Sequence, residues 1–148
     1  MKISKLEASK FIPAEISKVF NAWITPQIVE KWFCPEGMKS QVIEWNATVN
    51  GKFDIAMIDG DDVYPTNGIF KEIIPNQKLV LVYGWDIEED ESAENLKVSR
   101  IDTLITVEFN NLAEGTNIVL TQEGVDPEEI ESLQVGWMSA LANLASVI

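Results

Sequence analysis

Residues 127–148 read PEEIESLQVGWMSALANLASVI, the one long helix signal in a chain that otherwise reads mostly as strands and turns. Ile130, Leu133, Trp137, Leu141, Leu144 and Ile148 recur three and four positions apart and form one apolar stripe. A helix with such a stripe must cover something, and what precedes it is a series of strands with one face to bury. Gly136 interrupts the stripe beside Trp137, although an interior helix glycine costs about 1 kcal/mol relative to alanine. Its presence predicts that another element approaches the helix closely at that turn.

Moving outward from this segment, residues 3–12 alternate between apolar and charged side chains up to Pro13, which predicts an opening strand. Pro13-Ala14-Glu15 starts a short helix with Ile16, Val19, Phe20 and Trp23 on one face, and Thr25-Pro26 begins a second over residues 27–33. From Met38 the period turns to two, and Asn50-Gly51 is the strongest short hairpin signal in the chain. Strands are expected over 52–58, 63–74, 78–85, 101–110 and 116–123, all rich in Val, Ile, Thr and aromatics. Turn residues separate most of them: Asp59-Gly60-Asp61, Pro75-Asn76 and Glu114-Gly115. The acidic stretch Asp86 to Glu94 reads as a longer solvated loop. If alternation holds without bulges, Phe53, Ile55 and Met57 share the burying face with Leu79, Leu81, Tyr83 and Trp85.

The 148 residues fit a single domain, and no apolar run approaches the ~20 residues of a membrane span. Net charge is −13, and a carboxylate-dominated surface repels phosphate backbones and anionic headgroups. Neither nucleic acid nor membrane is expected as a partner. The N-terminus begins a strand and lacks the features of a secretory signal, and Cys34 is the only cysteine, so a cytoplasmic protein is expected. Histidine is absent altogether. That removes the usual general base near neutral pH, the commonest transition-metal ligand and every Ser-His or Cys-His nucleophile arrangement.

The layout is α+β, and with its residues it resembles the Bet v 1-like or START-like (SRPBCC) helix-grip superfamily, in the branch named after the activator of Hsp90 ATPase. The resemblance rests on Phe11-Ile12-Pro13-Ala14 before Val19-Phe20-Asn21-Ala22-Trp23, then Thr25-Pro26 with Lys31-Trp32-Phe33. Gly51-Lys52-Phe53, Gly68-Ile69-Phe70-Lys71-Glu72-Ile73 with Pro75, Lys78-Leu79, Gly115-Thr116 and Gly136-Trp137 follow in the family's order. It implies a seven-stranded curved antiparallel sheet wrapped around the long C-terminal helix, with two short helices between the first and second strands. It also implies a cavity between sheet and helix that in relatives admits apolar molecules. Cys34 stands where many relatives have glycine. Since carriers, enzymes and co-chaperones share the fold, function must be argued from the site.

Trp32, Phe33, Trp85 and Trp137 suit a pocket wall, because indole rings bury large area while keeping an N–H for a polar ligand group. The same rings could equally fill the core. The candidate cavity residues are these four with Phe53, Ile55, Met57, Tyr64, Tyr83, Gly136 and Leu141. Tyr64 and Tyr83, or Asp54, Asn67 and Gln122 if the sheet turns them inward, could hydrogen-bond a ligand. No catalytic constellation is recognisable. Cys34 lacks a base and is expected to be structural, and Arg100, the only arginine, is expected in a surface ion pair. Asp59-Gly60-Asp61-Asp62 fails as a calcium loop, with Val63, Tyr64 and Phe70 at its fifth, sixth and twelfth positions. No metal or cofactor is expected. The leading expectation is a domain that binds a small apolar or amphipathic molecule, as monomer or homodimer. The alternatives are a module that binds a chaperone or other protein, and an enzyme of cyclase, dehydratase or hydrolase type.

Overall fold

A computed structural model describes residues 4–88 and 98–148. The elements run β1 (Lys5–Ile12), α1 (Ile16–Ile24), α2 (Pro26–Trp32), β2 (Lys39–Trp45), β3 (Lys52–Asp59), β4 (Asp62–Ile74), β5 (Lys78–Glu88), β6 (Val98–Leu112), β7 (Gly115–Glu123) and α3 (Ile130–Val147), with a 3₁₀ turn at Pro127–Glu129 before the last helix. All seven strands form one antiparallel sheet in the order β1-β7-β6-β5-β4-β3-β2. The first two strands are therefore the two edges, and α1 and α2 carry the chain from one edge to the other. This is the helix-grip layout expected from the sequence. Of the acidic stretch expected as a loop, Asp86 to Glu88 instead extend β5, paired with Arg100 to Val98 of β6, and residues 89–94 lie outside the described residues.

Strand boundaries and faces follow the alternation with two exceptions. Register shifts between Val42 and Glu44, and between Phe70 and Glu72, are bulges that bend their strands. The first breaks the period of two expected through β2, so that Ile43 is exposed while Trp45 is buried. The Asn50-Gly51 signal marks a hairpin whose connection runs over residues 46–51 rather than two residues. Asn50 takes the left-handed conformation at φ 67°. Gly51 lies so close to the Asn46 carbonyl that a Cβ would overlap it. The loop then joins β4 at the second bulge, with Asn50 N donating to Phe70 O at 2.7 Å and Phe70 N to Gly51 O at 2.9 Å.

The core lies on the concave face. Phe53, Ile55, Phe70, Leu79, Leu81, Ile105, Val107, Ile118 and Leu120 are buried there under Val19, Trp23, Val29 and Trp32 of the short helices and Leu141 and Leu144 of α3. A run of edge-on aromatic pairs links the layers: Trp23 to Trp32 at 4.6 Å, Trp23 to Phe33 at 6.1 Å, and Phe33 to Trp45 at 5.6 Å. Each such pair contributes about 0.5–1.5 kcal/mol beyond its buried area. The Trp32 and Trp45 indoles donate to the carbonyls of Ala22 and Trp23, both at 3.0 Å. No helix among the described residues is long and apolar enough to cross a membrane.

Candidate functional site

The C-terminal helix packs its backbone closest to β1 and α2 and stands off from the middle of the sheet. Side chains must fill the space left there. Three sets of contacts fix the separation: Gln134 Nε2 donates to Glu7 O at 2.7 Å, Asn143 Nδ2 to Cys34 O at 2.9 Å, and Glu36 N to Ser139 Oγ at 2.6 Å. α3 is thereby tied to β1 through Gln134 in its N-terminal half and to the segment after α2 through Ser139 and Asn143 in its C-terminal half.

Between them is a cavity of about 160 Å³ that opens to solvent. Its deep wall is Phe33, Tyr83, Gln122, Trp137 and Ala140, all buried. Pro35, Met57, Ser132, Leu133 and Gly136 form the outer part, and Cys34 completes the lining. The rings pack edge-on or tilted, with Phe33 to Trp137 at 5.5 Å and Tyr83 to Trp137 at 5.9 Å. They leave the cavity open rather than closing it. Two wider grooves lie elsewhere. One of about 570 Å³ runs between the start of α1 and the β6–β7 turn, and one of about 330 Å³ between α2 and the start of β2.

Beneath the cavity runs a short polar chain. Gln122 is completely buried; its Nε2 donates to Thr103 Oγ1 at 2.9 Å, and its Oε1 accepts from Trp137 Nε1 at 2.8 Å. Thr103 Oγ1 donates onward to Tyr83 O at 2.7 Å. Thr66, Thr103, Thr116 and Gln122 are the buried polar residues of the described chain, and of these Thr103 and Gln122 belong to this chain of bonds. Burial pushes the Tyr83 phenol up to about 12, against a smaller opposing effect of its hydrogen bond with the Thr66 side chain. Burial likewise pushes the Cys34 thiol up, a hydrogen bond with Ser40 opposing it; Sγ donates to Met38 O at 3.3 Å. Both groups are neutral at pH 7, so neither is a ready base or nucleophile there. Among the described residues no cluster of three or more His, Cys, Asp or Glu side chains could hold a metal ion.

Of the expected cavity residues, Phe33, Met57, Tyr83, Gly136 and Trp137 meet at this space. Trp32, Phe53, Ile55 and Leu141 instead fill the core, each 1% exposed or less. Trp85 is half-buried against the far side of Tyr83, their ring centroids 6.3 Å apart. Tyr64 does not reach the cavity. It pairs with Met57, yet β4 is exposed from Asp62 through Pro65 near the hairpin tip, and Tyr64 is 51% exposed. The expected close approach at Gly136 is also absent, since a Cβ there would meet only Pro35 Cγ, at 3.7 Å. Of the polar candidates Gln122 is the one turned inward. Asn67 accepts two hydrogen bonds from Arg100, which also pairs with Asp102, around Gly84 on the opposite face. Leu133 and Ala140 went unnamed as cavity residues, although their spacing from Gly136 and Trp137 puts them on one helix face.

A family model described as "Activator of Hsp90 ATPase homolog 1-like protein" matches residues 13–148. No curated protein matches the sequence. Among solved structures, a Chromobacterium violaceum protein superposes with a TM-score of 0.81 at 21% identity, over 98% of this chain and 97% of that one. The AHSA1 protein of Silicibacter pomeroyi gives 0.79 at 19% identity, over 97% and 96%. A Staphylococcus epidermidis protein gives 0.78 at 20% identity, over 99% and 90%. At these identities the likeness is one of fold.

Proposed function

The chain belongs to the activator of Hsp90 ATPase homolog 1-like family, and on that premise we propose that it binds a small apolar or amphipathic molecule in the cavity between α3 and the sheet. The observation that carries this reading is the aromatic-walled space of about 160 Å³, open at one end and floored by a buried amide. A dry apolar cavity of about 150 Å³ is enough to admit benzene. Among the described residues the titratable lining groups are Cys34 and Tyr83, and both keep their protons at neutral pH, which favours binding over turnover.

Native mass spectrometry of the protein purified from its expression host, with titration by an apolar fluorescent dye, tests the reading. A saturable dye signal is expected, weakened at least tenfold by Gly136→Leu, whose side chain would enter the cavity. No saturable binding, or equal binding by the variant, would sink it.

A second reading, a module that docks a chaperone or other protein, is favoured by one feature. The outer face of α3 leaves Val135 66% and Met138 40% exposed on a chain of net charge −13. Capture of a partner at low salt that is released at high salt supports it. Absence of any low-salt partner counts against it.

A further inference from the structure

We propose that the cavity selects a neutral ligand carrying one hydrogen-bonding group on an apolar body, and that the Gln122 carboxamide is the group that recognises it. The inference rests on the binding role proposed above and adds the chemistry of what is bound.

The orientation of the amide is fixed by its neighbours. An indole N–H can only donate, so the atom 2.8 Å from Trp137 Nε1 is the amide oxygen. Thr103 gives its single proton to Tyr83 O, so toward Gln122 it can only accept, and the amide nitrogen faces it. Two independent partners therefore agree on one orientation. An amide oxygen has two lone pairs and an amide nitrogen two hydrogens, and here each is engaged once among the described residues. One acceptor and one donor capacity remain on a fully buried side chain that lines the cavity. A ligand hydroxyl, carbonyl or amide reaching the floor would take up that capacity and replace the hydration it loses on entry.

The same walls disfavour ions. Among the described residues no Asp, Glu, Lys or Arg lines the cavity, and a charged group placed against these walls would lose its hydration without a counter-ion from them. Trp137 acts as a positioning residue, holding the amide so that its remaining capacity stays available. The volume accommodates about one ring or a short chain, and the open end lets a longer apolar tail emerge beside Met57 and Ser132.

Four probes of similar shape separate the possibilities: toluene, p-cresol, benzoate and benzylammonium, titrated by calorimetry against the full chain. The cresol is expected to bind about tenfold tighter than toluene, and both ions at least tenfold weaker than toluene. In Gln122→Leu the advantage of cresol disappears while toluene still binds. In the native protein the Gln122 side-chain amide and Trp137 indole proton resonances shift with cresol beyond any shift with toluene, a readout that does not depend on the variant folding. Equal affinity for cresol and toluene, or tight binding of either ion, overturns the selection and leaves the binding role standing. If neither neutral probe binds, the binding role fails and the selection falls with it.

Discussion

Gln122 holds a neutral amide at the bottom of an apolar space, and its cost is tolerable only while its partners stay in place. Trp137→Phe would remove the indole N–H and leave the amide oxygen buried without its partner. The expected loss is about 1–3 kcal/mol, read as a lower midpoint in urea unfolding with an unchanged slope; an unaltered midpoint contradicts it. Tyr83 makes a pH prediction. Its phenol titrates near 10 in an unfolded chain and at about 12 in the fold, so between those values the folded state retains a proton that the unfolded state has lost. Stability is therefore fully present below pH 10 and declines as pH rises through 12, by up to about 1.4 kcal/mol per pH unit. Tyr83→Phe should flatten that alkaline decline, as measured by denaturation at pH 9, 10 and 11. At this scale the sequence was informative about facing and silent about depth. Alternation put Tyr83 on the burying face, and it is buried there; Tyr64, expected at the cavity, is exposed because it sits near the hairpin tip. Trp32 and Phe33 are adjacent, and only the second reaches the cavity, because the first spends its indole N–H on Ala22 inside the core.

For α3 the apolar stripe was readable from spacing, and its lower half, Leu141 and Leu144, is fully buried as periodicity implies. What spacing does not convey is that Ile130 and Leu133 at the upper half are only half-buried, because the helix stands away from the sheet there. Gly136 belongs to that upper half. Since only Pro35 lies within reach of an added Cβ, Gly136→Ala is expected to stabilise the protein by about 0.5–1 kcal/mol through helix propensity. Thermal unfolding would show the midpoint about 1–4 °C higher. A lower midpoint would mean that the turn does need glycine. Bulges are the other element-level feature hidden from pattern reading. The extra residue at Ile43 reads as ordinary alternation until the partner strand is known, and pairing across strands is not local information.

The whole molecule carries a formal charge of −13 on 148 residues, and carboxylates on one small surface repel one another. Raising sodium chloride from about 10 mM to 0.5 M shortens the screening length from ~30 Å to below 10 Å. The unfolding midpoint should rise by roughly 2–6 °C, equivalent to about 1–2 kcal/mol; calorimetry showing no rise would mean that the charges are already balanced locally. Fold class was readable at this scale from element order and from the family-like residues from Phe11 to Trp137. The state of the cavity was not, because an internal void is the small remainder after all the side-chain volumes are packed.

The strand order also governs how the molecule assembles in time. Every neighbour pair from β2 to β7 joins strands consecutive in sequence, whereas β1 finds β7 only across almost the whole chain, with Lys5 opposite Glu123. Chain closure of that length makes this pairing the slowest to form and, by its entropy, among the first to open. Because Gln134 anchors α3 to β1, one wall of the cavity belongs to this late-joining unit. Backbone amides of β1 and α3 should exchange with deuterium sooner than those of β5 and β6. The residence time of anything held inside would then be set by how often the two ends of the chain part company.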